Sequence, residues 1–121
     1  MDDKVREALS KGGVIDITTT GRRTGKPHRI EIAFHAFDGK LYISGMPRER
    51  KRDWLANMEA NPRFTFHLKR EVKADLPALA RPITDAAERR AVLEKVRQAW
   101  GRGDIEEMVR WSPLVEVTIQ E

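Results

Sequence analysis

Cysteine is absent from this sequence of 121 residues, and histidine occurs only three times. The lack of cysteine excludes disulfides, thiolate metal ligands and a thiol nucleophile, so redox chemistry would require a bound cofactor. His28, His35 and His67 do not have the spacing of metal ligands, and no carboxylate cluster accompanies them. We therefore expect no metal site. Tyr42, His35 and His67 are possible proton donors, but an ordinary surface position fits both histidines equally well, so no catalytic residue is assigned.

Long apolar runs are also absent. No segment approaches the ~20 apolar residues that span a bilayer, and the polar start Met1-Asp2-Asp3-Lys4 does not resemble a signal peptide. We therefore expect a cytoplasmic protein without a membrane segment. A length of 121 residues is typical of one domain, here residues 1–121. The net charge of +4 is compatible with nucleic acid, an anionic membrane or a phosphorylated small molecule.

Alternating apolar residues predict six strands, and apolar residues at helical spacing predict four helices. Asp38-Gly39 is a strong hairpin signal, and Thr84 is the expected N-cap of the third helix. Strands joined mostly by hairpins favour an α+β fold that is mainly antiparallel, a six-to-seven-stranded barrel flanked by helices, because closure removes exposed edges. An open α+β sandwich is the alternative. The predicted strands cover 14–20, 27–37, 41–44, 63–69, 72–76 and 114–119, and the predicted helices cover 3–10, 50–60, 85–100 and 104–112.

A basic turn separates the first two predicted strands. Residues 18–29 read Thr-Thr-Thr-Gly-Arg-Arg-Thr-Gly-Lys-Pro-His-Arg, with two glycines and four cations. Guanidinium groups grip phosphate or carboxylate in a bidentate fork, whereas lysine acts as a point charge. Threonine hydroxyls such as that of Thr24 can add donors. The turn is therefore a candidate anion site, and a merely solvated hairpin is the alternative.

A second basic block follows the third strand. Residues 44–54 read Ser-Gly-Met-Pro-Arg-Glu-Arg-Lys-Arg-Asp-Trp and place four cations at a predicted strand-to-helix junction. Free N–H groups and the helix dipole favour an anion at such a junction. Gly45 permits close backbone approach. Trp54 offers a flat ring to a ligand, although its helical spacing with Leu55 and Met58 is more often that of a core residue.

These motifs resemble the deazaflavin-dependent nitroreductase family. The resemblance rests on residues 18–29, on Leu41-Tyr42-Ile43-Ser44-Gly45, on Asp53-Trp54 and Asn57, and on Ala60-Asn61-Pro62, and it covers roughly residues 13–70. It implies a split β-barrel of the FMN-binding type. It also implies that reduced coenzyme F420 passes a hydride to a quinone, nitroaromatic or similar electron-poor molecule, and that the protein is a homodimer.

The resemblance also implies a set of cofactor-binding residues. Arg22, Arg23 and His28 would contact the phosphate and polyglutamate arm of F420. Ser44, Pro47 and the segment 50–54 would follow the cofactor groove. Members of the family often have Lys-Gly-Gly where this chain has 45–47 and Arg where it has His28, so FMN is the alternative cofactor. The full candidate set is Arg22, Arg23, Thr24, Lys26, His28, Arg29, Ser44, Gly45, Pro47, Arg50, Lys51, Arg52 and Trp54.

Two other classes of function are compatible with a small basic barrel. A carrier that holds FMN, heme or an acyl ligand without turnover would need the same groove. A nucleic-acid module would need exposed aromatic residues for stacking, but Phe64 and Phe66 fall on the apolar side of their strand. We therefore expect small-molecule partners and no nucleic acid.

Overall fold

A computed structural model describes all residues, 1–121. Its elements confirm the predicted order of six strands and four helices. No helix is long and apolar enough to cross a membrane. In chain order the elements are α1 (Asp3–Lys11), β1 (Gly13–Thr20), β2 (Pro27–Phe37), β3 (Lys40–Ser44), α2 (Asp53–Ala60), β4 (Arg63–Lys69), β5 (Lys73–Pro82), α3 (Ala86–Trp100), α4 (Ile105–Trp111) and β6 (Leu114–Ile119).

The six strands form one closed barrel in the order β1-β2-β3-β6-β5-β4, and every neighbouring pair is antiparallel. Asp38 and Gly39 both have positive φ, 52° and 78°, as a tight hairpin between β2 and β3 requires. The barrel prediction is therefore confirmed, and the open sandwich is wrong. Closure gives each strand two neighbours, but β2 pairs with β3 only from Phe34 to Phe37, so its first half is paired on one side only, with β1.

Alternate side chains of the strands fill the barrel. The rings of Phe34 and Phe66 meet edge to face at the centre, with centroids 5.0 Å apart. Leu9 of α1 joins this core near the start of β1, and Trp54 and Met58 of α2 join it near the opposite end. Trp54 is only 8% exposed. It is therefore a core residue, as its helical spacing with neighbouring apolar residues indicates.

A second apolar cluster lies between the outside of the barrel and helices α3 and α4. Tyr42 of β3 and Leu114 of β6 point outward here and pack against helix residues such as Leu93 and Met108. The cluster holds α4 against the barrel directly before β6, so the residues at the end of α4 lie in a fixed position.

Arg89 of α3 fastens the end of α4 to the barrel. Its Nε donates to the carbonyl of Val109 at 2.8 Å, and its Nη1 donates to that of Ile83 at 2.9 Å. Its Nη2 donates to the carbonyl of Ser112 at 2.6 Å and approaches that of Met108 at 3.3 Å. One side chain therefore satisfies the carbonyls of Val109 and Ser112 at the end of α4 and connects them to Ile83, directly after β5.

Two histidines are not ordinary surface residues, so that interpretation is wrong. His67 is 7% exposed and bridges Thr18 Oγ1 and Asp75 Oδ1, at 2.7 Å from each. Its hydrogen bond lowers the pKa of Asp75. His35 stacks on Phe37, and burial lowers its pKa. The alternating pattern did not indicate this, because β2 and β4 bury part of their outer faces as well.

Three predicted boundaries are wrong. The segment 50–52 precedes α2, which begins only at Asp53. β5 continues past Pro77 to Pro82, because residues 78–82 pair with β6. The N-cap of α3 is Asp85 rather than Thr84, since the Asp85 carboxylate accepts the Glu88 N–H at 2.9 Å.

The two neighbouring candidates for this cap give a direct test. Asp85→Ala should lower the free energy of unfolding by about 1 kcal/mol, because the Glu88 N–H loses its acceptor. Thr84→Ala, the matched control, should change it by less than about 0.5 kcal/mol. Urea denaturation measures both. A larger loss for Thr84→Ala than for Asp85→Ala would contradict the assigned cap.

Candidate cofactor site

The basic turn between β1 and β2 is closed by backbone hydrogen bonds. Gly21 N donates to the Lys26 carbonyl and Gly25 N to the Gly21 carbonyl, both at 2.8 Å. Gly25 has φ 72°, a conformation that favours glycine. A Cβ at Gly21 would lie 2.6 Å from His28 Nε2 and 2.9 Å from Thr24 Oγ1. Glycine at position 21 thus lets the His28 ring lie across the base of the turn.

Asn57 of α2 holds the turn in place. Its Oδ1 accepts from Arg22 N at 3.2 Å and from Arg22 Nη1 at 3.0 Å. Its Nδ2 donates to Thr19 Oγ1 at 3.1 Å, and the side chain is buried. Asp53 adds an ion pair with Arg22 at 3.4 Å. The prediction did not assign Asn57 a role, although an amide on the apolar side of α2, next to Met58, is a signal for one.

An open cleft of about 510 Å³ lies between the turn and the start of α2. We call it the turn cleft. Arg22, Arg23, Thr24 and His28 line one side, and Arg52 and Trp54 are among the residues on the other. The structure thus brings both basic blocks to one place. Arg22, Arg23 and His28 are exposed there, so they can reach a ligand.

Arg52 is the most unusual side chain of the turn cleft. Its Nη1 is buried and has no hydrogen-bond partner. Burial, followed by the charge of Arg48, lowers its pKa. A Cβ at Gly45 would lie 3.2 Å from Arg52 Nη2 and 3.1 Å from Pro113 Cγ. Glycine at position 45 therefore leaves the space that the guanidinium occupies.

Several predicted residues lie apart from the turn cleft. Arg29 pairs with Asp16 on the outside of the barrel, with Nε 3.0 Å from Oδ2. Ser44 is buried and its hydroxyl donates to the Pro113 carbonyl at 2.8 Å. The remaining predicted residues that do not line the cleft are Lys26, Gly45, Pro47, Arg50 and Lys51.

A second open cleft, of about 340 Å³, lies on the other side of Arg52. We call it the α4 cleft, because Trp111 and Ser112 at the end of α4 line it opposite Arg50 and Lys51. Arg48 and Arg52 line both clefts. The two clefts therefore adjoin at these two cations, and a ligand in one can lie beside a ligand in the other.

No group of three or more His, Cys, Asp or Glu side chains is placed to hold a metal ion. The family model of F420H(2)-dependent quinone reductase matches residues 2–120. The chain belongs to this family. It is therefore an oxidoreductase whose cofactor is coenzyme F420, and the family, enzyme class and cofactor that the sequence motifs implied are confirmed.

Solved structures share the split-barrel fold. A conserved hypothetical protein from Mycobacterium tuberculosis is 15% identical with a TM-score of 0.75, over 100% of this chain and 82% of its own. An F420-H2 dependent reductase is 20% identical with a TM-score of 0.64, over 88% of this chain and 94% of its own. An FAD-binding protein from Mesorhizobium loti is 16% identical with a TM-score of 0.65, over 100% of this chain and 91% of its own. At these identities the likeness is one of fold.

The side chains of the turn cleft fit an anionic cofactor such as F420, which carries a phosphate and a polyglutamate arm. The Arg52 guanidinium has a buried nitrogen without a protein partner, which an anionic oxygen can satisfy, and glycine at position 45 leaves room for this group. Asp53 is the only carboxylate that lines the cleft, against four arginines. The cleft therefore presents an excess of positive charge.

Proposed function

We propose that this chain transfers a hydride from reduced coenzyme F420 to a quinone, nitroaromatic or similar electron-poor small molecule, and that residues 1–121 act as one cofactor-binding domain. The observation that carries the site assignment is Arg52, a half-buried guanidinium whose Nη1 has no partner and which lines the same cleft as the exposed Arg22 and Arg23. In this proposal the anionic cofactor supplies the acceptor that Arg52 lacks within the protein.

Each side chain has a separate task in this proposal. Arg23 and His28 contact the anionic arm, while Arg52 binds an anionic oxygen in the less solvated part of the cleft. The cofactor supplies the hydride, so the chain needs no nucleophile of its own. Asn57 holds Arg22 and the turn in the binding geometry before the cofactor arrives, which lowers the entropic cost of binding. Of the remaining candidates from Thr24 to Lys51, only Thr24 lines the turn cleft.

Fluorescence of F420 tests the proposal. We expect saturable quenching by the protein and about fivefold weaker binding by Arg23→Gln, since Arg23 is an exposed charge at the rim. The difference should shrink at high salt, because exposed charges are screened. Arg102→Gln is the matched control, an exposed arginine outside both clefts, and should leave the affinity unchanged.

Turnover separates an enzyme from a carrier. Reduced F420 mixed with a quinone and the protein should be oxidised faster than without the protein. Saturable F420 binding with no acceleration by any quinone or nitroaromatic would favour a non-catalytic carrier. Binding of FMN without binding of F420 would contradict the cofactor assignment for this chain.

A homodimer is the expected assembly. The first half of β2, residues 27–31, is exposed, and Ile30 within it is 36% exposed. An exposed stretch of strand with an apolar side chain suits a contact between two copies. Light scattering during gel filtration measures the assembly. The cytoplasmic location and the absence of nucleic-acid binding stay predictions.

A further inference from the structure

Two half-buried guanidinium groups without a carboxylate partner line the α4 cleft. These are Arg52 and Arg89. All four hydrogen bonds of Arg89 go to neutral backbone carbonyls. Burial alone lowers its pKa, and no acidic group opposes the effect. Arg52 also lines the turn cleft, where its unpaired nitrogen is assigned to the cofactor, so Arg89 is the half-buried cation that belongs to the α4 cleft alone. Charges removed from water are normally paired, so Arg89 points to an anion from outside the protein.

The other charges of the α4 cleft do not neutralise these two. Glu59 lines the cleft but is engaged with Lys51, with Oε1 2.7 Å from Nζ. Glu49 is the one other acidic residue of the lining and is exposed. Arg50 and Arg110 add further positive charge. Six cationic side chains against two acidic ones therefore give the cleft an excess of positive charge.

The end of α4 adds a buried donor and a flat ring. Ser112 is 3% exposed, lines the cleft, and its Oγ has no hydrogen-bond partner. A buried hydroxyl without a partner is costly unless a ligand satisfies it. Trp111 lies beside it, with the Arg110 guanidinium carbon 5.1 Å from the ring centroid. The cleft thus joins cations, an indole with a guanidinium over it, and a buried hydroxyl that has no protein partner, a lining that suits a planar ligand with an acidic group.

We propose that the α4 cleft binds the acidic group of a planar aromatic acceptor, so that quinones or nitroaromatics carrying a carboxylate or sulfonate are preferred over their neutral analogues. This inference rests on the proposed function, because it identifies the ligand of the α4 cleft as the molecule that accepts the hydride. The arrangement of the clefts supports it. With the anionic arm of the cofactor in the turn cleft, the adjoining α4 cleft is left for the second reactant, and Arg48 and Arg52 lie between them.

The test compares anthraquinone-2-carboxylate with anthraquinone-2-carboxamide, two probes of the same shape that differ in charge. Binding is followed by tryptophan fluorescence without F420, so no turnover is needed. The carboxylate should bind about tenfold more tightly to the natural protein. Arg110→Gln should weaken carboxylate binding about fivefold, and Ser112→Ala should weaken it about threefold. Neither variant should change carboxamide binding. Arg102→Gln is the control with the same charge change and should keep the preference.

The outcomes are distinct. Equal binding of the two probes would overturn the proposal. So would an Arg110→Gln variant that loses F420 affinity while keeping the preference, because the cleft would then belong to the cofactor. A preference for the carboxylate that disappears in Arg110→Gln, in a protein that does not oxidise reduced F420, would support the anion site and contradict the proposed function instead.

Discussion

Arg89→Met should lower the free energy of unfolding by about 3 kcal/mol, which corresponds to a melting temperature roughly 10 °C lower. The methionine keeps much of the apolar volume of the arginine but cannot donate a hydrogen bond. Four carbonyls, those of Ile83, Met108, Val109 and Ser112, would then lose a donor around the half-buried end of α4. Thermal and urea denaturation measure the change.

Arg90→Met is the matched control for this experiment. Arg90 is the next residue of α3, is exposed, and pairs with Glu106 at 2.8 Å. A surface ion pair is worth less than about 1 kcal/mol, so its loss should be small. Similar small effects for both variants would show that the Arg89 hydrogen bonds contribute little to stability.

The barrel was predictable because its signals are local. Alternation of apolar residues along each strand sets which side faces the core, and Asp38-Gly39 fixes the register of β2 against β3. The end of β5 was not predictable in this way. Pro77 normally interrupts a strand, but its neighbours continue the ladder with β6, which is distant in sequence.

The candidate site was predictable in part for the same reason. Clusters of positive charge beside glycine indicate the turn at Arg22 and the segment at Arg52 from the sequence alone. Their meeting in one cleft depends on the packing of α2 over the end of the barrel. The hydrogen bond from Arg22 to Asn57 joins residues that are 35 positions apart in the sequence, so no local pattern could show it. A period of two also cannot reveal that His67 is buried on the outside of the barrel.

Arg52→Met should weaken F420 binding strongly without lowering stability. The affinity for F420 should fall by roughly 30- to 300-fold, because a half-buried cation that meets an anionic oxygen contributes more than a rim charge. The free energy of unfolding should stay the same or rise by up to about 1 kcal/mol, since the variant no longer buries a guanidinium nitrogen without a partner. F420 fluorescence and urea denaturation on the same preparation give both values.

Arg50→Met provides the comparison within the same segment. Arg50 is exposed, so its loss should weaken F420 binding by no more than about threefold and leave stability unchanged. Measuring both quantities matters because loss of a structural arginine lowers stability, whereas loss of a binding arginine lowers the affinity for F420 alone. If Arg52→Met lowered stability and affinity together, Arg52 would be holding the 44–54 segment against Gly45 and Pro113, and the loss of binding would follow from that segment moving. A stable variant that no longer binds F420 would place the function of this side chain in the ligand contact itself.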